Sequence, residues 1–223
     1  MRLPAWLIKF GFHLLYYQMA WTYDLVAWSV SFGQWASWRR AAIPFLRSGP
    51  TLELAFGTGS FFGDMVAAGY QPWGIDLSPY MARIAKGRLQ RCGYQLRLSQ
   101  ARAQALPFPA GYFTNVVATF PTDYMLEDET LAEIYRVLTN GDASSGKGSL
   151  AGRLIIVTEG ELRGPWPVRP FIDWLYRVTD QRSVPPSKPL NLLTTHHFEA
   201  RWERVKFEGA VARLLIGEKL SSP

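Results

Sequence analysis

The chain has 223 residues and a mass of 25.3 kDa, which suits one α/β domain with a large core. Hydrophobic residues make up 48% and charged residues 19%, so the composition excludes a disordered chain. The formal charge of +6 comes from scattered Lys and Arg residues, which favours a solvated basic surface over a nucleic-acid groove. The lone cysteine, Cys92, excludes an internal disulfide and fits a reducing compartment.

Residues 1–48 are predicted to form an aromatic-rich helical extension ahead of a domain at 49–223. Lys9, His13 and Asp24 interrupt its apolar runs before they reach the ~18 residues of a membrane span. No cleaved signal is expected, because no small-x-small site follows. Two interpretations stay open: the aromatic residues pack over one end of the domain, or they rest at a lipid interface. They are Trp6, Phe10, Phe12, Tyr16, Tyr17, Trp21, Tyr23, Trp28, Phe32, Trp35 and Trp38.

From residue 50 onward, short apolar runs alternate with helical patterns. In chain order we predict strand Thr51–Phe56, helix Phe61–Ala68, strand Gln71–Ile75, helix Pro79–Arg91, strand Tyr94–Leu98, strand Asn115–Phe120, helix Asp128–Leu138, a Gly/Ser-rich flexible loop from Thr139 to Gly152, strand Arg153–Thr158, helix Pro167–Thr179, and strands Trp202–Phe207 and Ala210–Leu220. Alternating strands and helices predict a Rossmann-like, doubly wound, mostly parallel sheet of seven strands. Glu208-Gly209 predicts an antiparallel hairpin at its C-terminal edge.

The stretch LELAFGTGS, from Leu52 to Ser60, falls at the first strand-to-helix turn, where an open parallel sheet binds its ligand. Gly57 and Gly59 allow positive φ and close approach of the main chain, and the helix start offers N–H groups to a carboxylate or phosphate. A phosphate-binding loop would need Gly-Lys-Ser/Thr where Ser60-Phe61-Phe62 stands, which excludes it. A dinucleotide fingerprint would need a third glycine at Phe62, so dinucleotide binding remains a weaker alternative.

Two carboxylates near this turn favour S-adenosylmethionine. Glu53 precedes the turn, and Asp76 is expected at the end of the second strand. Asp76 can accept hydrogen bonds from both ribose hydroxyls, and the methionine carboxylate can face the helix start. A cationic sulfonium is tolerated in this turn, whereas a phosphate would favour a lysine. The expected cofactor is therefore S-adenosylmethionine.

These motifs resemble those of the class I S-adenosylmethionine-dependent methyltransferases. LELAFGTG is similar to the first family motif, GIDLSPYMARIAKGRL to the second-strand acid with its helix, and ALPFPAGYFTNVVATF to the segment that leads into the fourth strand. Upstream, WTYDLVAWSVSFGQWASWRRAAI resembles the N-terminal signature of the ubiquinone/menaquinone-biosynthesis type. The shared elements of that signature are Tyr23-Asp24, Ser31-Phe32-Gly33 and Trp38-Arg39.

The resemblance implies a set of cofactor contacts. Asp76 would hold the ribose, and Phe120 would border the methyl group. The adenine would lie beside Leu77, Met81 and the backbone of Ala103. The residues that would line the methionine end are Tyr23, Glu53, Ala55, Gly57 and Gly59. Three positions depart from the family pattern, and one of them is Thr114, which replaces a common aspartate at the start of the fourth strand. Ala55 replaces the usual first glycine, for which a helix- or strand-like φ is expected. Arg102 replaces an aspartate that accepts from the adenine amino group, which puts affinity in doubt more than the fold.

Methyl transfer is an in-line displacement, so the protein mainly positions the acceptor and excludes water. A general base is needed only when the acceptor loses a proton. The candidates are Asp123 and Tyr124 after the fourth strand, Glu159 after the fifth, and His196 and His197 before the hairpin. Each has an ordinary structural alternative. No metal site is expected, since three histidines without cysteine or carboxylate spacing make a poor ligand set.

The aromatic extension, with Trp166 and Trp174, is expected to line an apolar lid, which favours a small hydrophobic or aromatic acceptor such as a quinone precursor or another lipid. The expected location is cytoplasmic, with peripheral contact at the inner membrane face as a further expectation. Two other functions stay open: a cofactor-binding regulatory module that has lost catalysis, suggested by Ala55 and Arg102, and a nucleic-acid methyltransferase, suggested by the charge. The sequence FPTDY after the fourth strand disfavours methylation of base amino groups.

Overall fold

The computed structural model describes residues 31–141, 151–162 and 187–220. Tyr23, Trp166, Trp174 and the helix predicted at 167–179 lie outside these ranges, as does most of the loop predicted at 139–152. No helix in the described ranges is both long enough and apolar enough to cross a bilayer.

Helices and strands alternate along the described chain. The helices are α1 (Trp35–Arg40), α2 (Ser60–Ala67), α3 (Pro79–Arg91), α4 (Asp128–Val137) and α5 (Ser187–Thr195). The strands are β1 (Thr51–Leu54), β2 (Trp73–Asp76), β3 (Leu98–Gln100), β4 (Asn115–Thr119), β5 (Arg153–Leu162), β6 (Phe198–Phe207) and β7 (Ala210–Lys219). Short 3₁₀ turns cover Ile43–Phe45 and Asp123–Leu126.

The strands form one seven-stranded sheet in the order β3-β2-β1-β4-β5-β7-β6. The pairs among β1 to β5 are parallel, and β7 runs antiparallel between β5 and β6. The predicted fold class and terminal hairpin are therefore confirmed. The chain moves outward from β1 in one direction and from β4 in the other, so the sheet has its switch point between β1 and β4.

Two hydrophobic clusters cover the two faces of the sheet. One joins α4 and α5 to residues such as Leu52, Val116 and Leu154. The other joins α1 and α2 to residues such as Val117 and Ile155. Because neighbouring residues of β4 and β5 belong to opposite clusters, these central strands are buried on both faces, as expected for parallel strands between helical layers.

Most elements differ from their predicted limits by one or two residues, and β3, β5 and β6 differ by more. β6 was predicted to begin at Trp202, but it begins at Phe198, which pairs with Lys219 of β7. The third strand was predicted at Tyr94–Leu98, but it begins at Leu98, the residue that pairs with Gly74 of β2. Tyr94 instead closes α3, because its N–H donates to the carbonyl of Leu89. β5 continues past Thr158 to Leu162, because it pairs with β7 through a bulge. Helix α5 was not predicted.

Candidate active site

The turn between β1 and α2 alternates left-handed residues with others. Ala55, Gly57 and Gly59 have φ of +53°, +54° and +74°. The helix- or strand-like φ expected for Ala55 is therefore wrong. Two hydrogen bonds hold the turn: the N–H of Phe56 donates to the carbonyl of Ile75 in β2, and the N–H of Gly59 donates to the carbonyl of Phe56. Ala55 is exposed, so its methyl group fits, although the conformation costs about 1 kcal/mol.

The two predicted glycines serve different purposes. A Cβ at Gly59 would lie 2.9 Å from the Cβ of Ala85, so this glycine lets α2 pack closely on α3. A Cβ at Gly57 would meet only the carbonyl oxygen of Ala55, at 4.0 Å. Gly57 therefore faces open space at the carboxyl end of β1, where a ligand can approach the main chain.

Asp76 ends β2 and ties the glycine turn to α3. Its Oδ2 accepts from the N–H of Gly57 at 2.8 Å, and its Oδ1 accepts from the N–H of Ser78 at 2.8 Å. Burial raises the pKa of Asp76, although these backbone hydrogen bonds oppose the rise. Each carboxylate oxygen has a second lone pair, so both can still accept from a vicinal diol.

Glu53 lies in the middle of β1, on the sheet face covered by α1 and α2, and is 1% exposed. No donor within the described ranges reaches its Oε2. Burial raises the pKa of Glu53 well above its ordinary range, and the negative charge of Asp76 raises it further. A buried carboxyl group with an open acceptor atom, beside a second carboxylate, suits a cationic ligand group such as an ammonium.

The predicted adenine side shows one exposed apolar residue, Leu77, and one buried loop residue, Ala103. Leu77 is 55% exposed directly after β2, while Met81 is buried in the core. The amide of Gln100 donates to the carbonyl of Leu77 at 3.0 Å, which holds this segment against the end of β3. Ala103 is buried just beyond β3, and Arg102 beside it is exposed.

A charged pair on α4 fixes the loop that carries Ala103. The N–H of Leu106 donates to Glu133 at 2.7 Å, and Arg136 donates to the carbonyls of Leu106 and Phe108 at 3.0 and 2.8 Å. The hydrogen bond from Arg136 lowers the pKa of Glu133. The pair therefore keeps the backbone of the loop between β3 and β4 in place against α4.

An aromatic pair stands at the carboxyl end of β4. Phe120 has φ +51°, and its ring stacks on Trp35 with centroids 4.1 Å apart and an interplanar angle of 25°. Trp38 meets the edge of both rings, at 6.3 and 6.4 Å. Trp35 and Phe120 are half-buried, so part of the pair stays accessible. Left-handed bulky residues are strained and persist mainly at ligand sites.

Helix α1 is anchored to α2 and to β5. Asp64 of α2 accepts from Arg39 at 2.6 Å and from Arg40 at 2.9 Å. Trp38 packs against the main chain of Gly160 in β5. From the sequence, Trp38-Arg39 was identified only as part of a signature. The roles of Asp64 and Gly160 were missed, because no local sequence pattern indicates them.

The predicted general-base candidates lie on different elements of the fold. Asp123 and Tyr124 lie on the 3₁₀ turn that follows β4, at the carboxyl edge of the sheet. Glu159 lies within β5 and pairs with Arg213 at 3.7 Å. Nε2 of His196 lies 2.9 Å from Oδ1 of Asp128.

His196 and His197 do not join the other candidates. They lie just before Phe198, which pairs with Lys219, and the neighbouring Glu218 pairs with Arg153 at the start of β5. The histidine turn is therefore at the amino edge of the parallel strands, opposite the glycine turn. His196 is not part of the site proposed below.

Thr58 was missed by the sequence reasoning although it stands between the two glycines. It is 5% exposed, and its hydroxyl lies 3.0 Å from that of Ser60. Arg88 of α3 donates to both the carbonyl and the hydroxyl of Thr58, at 3.2 and 3.0 Å. Arg88 also contacts the Ser60 hydroxyl, so α3 braces the turn. In the described part of the chain, no cluster of three or more His, Cys, Asp or Glu residues could hold a metal ion.

A doubly wound sheet with a glycine turn at its switch point, an acid at the end of the next strand and an antiparallel terminal hairpin defines a Rossmann-like methyltransferase. Comparison with known proteins agrees with this class. Residues 51–141 match a family model described as a methyltransferase domain. The demethylmenaquinone methyltransferase of Thermus thermophilus is 34% identical over 180 residues, which are 77% of this chain and 74% of that protein.

The chain belongs to the class I S-adenosylmethionine-dependent methyltransferases and resembles their ubiquinone/menaquinone-biosynthesis type. It is an enzyme, and its cofactor is S-adenosylmethionine, as predicted. The ubiquinone/menaquinone biosynthesis C-methyltransferase UbiE of Edwardsiella ictaluri is 32% identical over 136 residues, 57% of this chain and 54% of that protein.

A solved structure supports the fold. Geranyl diphosphate C-methyltransferase from Streptomyces coelicolor superposes with a TM-score of 0.61 at 13% identity, over 83% of this chain and 79% of that one. At this identity the similarity shows the fold alone.

Proposed function

We propose that this methyltransferase acts on a small apolar acceptor with a planar ring, of quinone-like chemistry, which binds against Trp35 and Phe120. The stacked pair at the end of β4 is the observation that carries the proposal. Aromatic rings prefer offset-stacked or edge-to-face contacts, so a rigid aromatic wall favours a planar ring over a flexible chain. The demethylmenaquinone methyltransferase that the chain resembles is named for such an acceptor.

The proposed cofactor contacts follow the carboxyl edge of the sheet. Asp76 would accept from the ribose hydroxyls, and the open space over Gly57 would take the methionyl tail. Glu53 would accept from the ammonium group through its open oxygen. Leu77 would lie against the adenine ring, which explains why an apolar side chain is exposed there.

The cofactor, when bound, supplies an activated methyl group, so the chain's own residues need only place the acceptor atom and exclude water. Asp123 and Tyr124 lie on the turn that follows β4 and Phe120. Where the acceptor must lose a proton, we assign its removal to this turn.

The test is methyl transfer by the full chain from isotopically labelled S-adenosylmethionine to three acceptors: a water-soluble naphthohydroquinone, an isoprenyl diphosphate and a mixed RNA. We expect the label on the naphthohydroquinone alone, located by mass spectrometry. Label on RNA, with binding that weakens steeply as salt is raised, would support the nucleic-acid alternative instead. Cofactor binding without transfer to any ring acceptor would contradict the proposal.

Trp35→Leu tests the aromatic wall itself. Loss of one stacking contact should raise the KM for the ring acceptor about five- to tenfold, with the Kd for the cofactor unchanged. Trp202→Leu on β6 is the matched control, because Trp202 packs under Arg213, at 4.2 Å, and not beside Phe120. Equal changes in KM for both variants would refute the assignment.

A further inference from the structure

Basic residues are scattered along the chain, but their excess over acidic residues falls in one segment. Residues 77–122 contain six basic side chains and no acidic one. The basic residues of this segment are Arg83, Lys86, Arg88, Arg91, Arg97 and Arg102. Of the 24 basic residues in the chain, the other 18 are balanced by the 18 acidic residues, so the whole net charge of +6 resides here.

The fold gathers much of this charge on one side of the molecule. The segment builds α3 and β3, and β3 is the outermost strand on its side of the sheet. Helix α3 buries Met81, Ala85 and Leu89. The exposed basic side chains, here called the cationic edge, are Arg83, Lys86 and Arg91 of α3 and Arg102 just after β3. Arg83 and Arg91 are about 12 Å apart along the helix.

The cationic edge differs from the basic residues of the described chain that are held in ion pairs. Within the described ranges, no carboxylate forms an ion pair with any of its four members, whereas Arg39 and Arg40 share Asp64. Arg47 and Arg153 likewise share Glu218. The contacts of the cationic edge are to neutral groups: Arg91 donates to the carbonyl of Gly87, and Arg83 lies 5.9 Å from the ring of Tyr80. Unbalanced like charges repel one another, and an anionic partner relieves this repulsion.

The shape of the surface favours a lipid bilayer as that partner. A helix face is convex, whereas nucleic-acid strands bind in grooves lined with several stacking rings. Tyr80, which is 45% exposed, stands beside Arg83 at the end of α3 nearest to Asp76. Basic residues next to an exposed aromatic residue are typical of faces that lie on anionic membranes.

We propose that the cationic edge docks the enzyme on an anionic lipid bilayer, with α3 against the headgroups and the cofactor turn close to the membrane surface. The choice of a bilayer over another polyanion rests on the proposed function, since an apolar acceptor would be drawn from a membrane. The charge segregation itself does not depend on that function.

Vesicle co-sedimentation of the full chain tests the docking. Binding should require phosphatidylglycerol in phosphatidylcholine vesicles and should weaken with salt. The triple variant Arg83→Gln, Lys86→Gln, Arg91→Gln should lower the partition coefficient about five-fold per cation, or about a hundred-fold together. The control carries the same charge change elsewhere, as Lys188→Gln, Arg204→Gln, Lys206→Gln. An equal loss in both triple variants, or none in the first, overturns the proposal.

Cys92 supplies a second, independent measurement. It is the lone cysteine, it is exposed, and it follows Arg91 at the end of α3. An environment-sensitive fluorophore on Cys92 should shift its emission to the blue when phosphatidylglycerol vesicles are added. The same fluorophore in Cys92→Ser, Lys206→Cys should not respond, because Lys206 lies on β6, at the opposite edge of the sheet. The reverse pattern would place the membrane on the other side of the molecule and overturn the proposal.

Two further arms separate this inference from the proposed function. Turnover of a water-soluble acceptor should be the same in the chain and in the α3 triple variant, while turnover of a vesicle-embedded acceptor should fall in the variant. Vesicle binding as expected with no ring acceptor methylated would reject the proposed function and leave the docking intact. Tighter binding to duplex RNA than to anionic vesicles, lost in the triple variant, would reject the lipid partner.

Discussion

Trp38 lies so close to the main chain of Gly160 that a Cβ atom at residue 160 would overlap the indole ring. This contact sets the position of α1, and therefore of Trp35, against β5. Gly160→Ala should lower the free energy of unfolding by about 1–3 kcal/mol, because Trp38 must move out of a packed layer. Thermal unfolding measures this loss, and the KM for the ring acceptor should rise as α1 shifts.

Gly87→Ala is the matched control for that substitution. Gly87 lies inside α3, and a Cβ there would meet nothing within 4 Å. Alanine is the better helix former, so this variant should gain about 0.5–1 kcal/mol. A stable Gly160→Ala protein with unchanged KM would show that the Trp38 contact does not position the wall.

Ala55 and Gly57 share a left-handed backbone but should respond oppositely to substitution. Ala55→Gly removes the strain on an exposed methyl group and should raise the unfolding free energy by about 0.5–1 kcal/mol, with cofactor affinity retained. Gly57→Ala adds strain and places a methyl group in the open space, so affinity for S-adenosylhomocysteine should fall at least about tenfold. Calorimetry and thermal unfolding check the pair. Equal affinities would mean that the ligand does not approach Gly57.

Asp76→Ala should abolish cofactor binding by calorimetry, because both proposed acceptors for the ribose hydroxyls are lost. The substitution also removes the hydrogen bonds to Gly57 and Ser78, so folding must be checked by near-ultraviolet circular dichroism. Ser78→Ala serves as the control. It removes the Ser78 hydroxyl that caps α3 by accepting from the backbone nitrogen of Met81 at 3.3 Å. This loss should cost about 1 kcal/mol of stability while leaving cofactor affinity nearly unchanged. A folded Asp76→Ala protein with unchanged affinity would refute the ribose assignment.

Glu53 should make the folding stability of the protein depend on pH. Burial raises its pKa in the folded state, so the folded protein holds a proton that the unfolded chain releases above its ordinary pKa. The stability associated with this group is complete below that ordinary value and is lost as pH rises through the folded pKa. Glu53→Gln cannot titrate, so its melting temperature relative to the wild type should increase from about pH 5 to about pH 8.

Glu133→Gln should show the opposite pH trend in stability relative to the wild type. The hydrogen bond from Arg136 lowers the pKa of Glu133, so its contribution is present above the unfolded pKa and is lost as pH falls. This variant should be least stable, relative to the wild type, near neutral pH. Parallel pH trends in the two variants would contradict the assigned environments.

Local signals explain the elements that were predicted well. Helix α3 was predicted at Pro79–Arg91 and has those limits, because Ser78 caps it, Pro79 begins it and Gly93, with φ +72°, ends it. The hairpin turn at Glu208-Gly209 is equally local, and Gly209 has φ +70°. In each case the signal lies within a few residues of the feature that it specifies.

Elements fixed by distant partners were predicted less well. The start of β3 is decided by pairing with Gly74, and the end of β5 by pairing with β7. Helix α5 has proline as its third residue and threonine at its end, so its local sequence is a poor helix signal. Its buried Leu193 packs on Gly217, where an added Cβ atom would lie 2.9 Å from the Leu193 side chain. Such contacts leave no periodic trace in the local sequence.

The sequence alone determined the glycine turn and the acids beside it, because the spacing of Glu53, Gly57, Gly59 and Asp76 follows from the geometry of a strand, a tight turn and a helix start. Only the tertiary structure decided that Ala55 is left-handed, that Trp35 stacks on Phe120, and that Asp64 holds α1. Strand order likewise turned a charge imbalance along the chain into a single cationic edge. Each of these depends on which elements pack together, and burial and strand pairing settle that across the whole sheet.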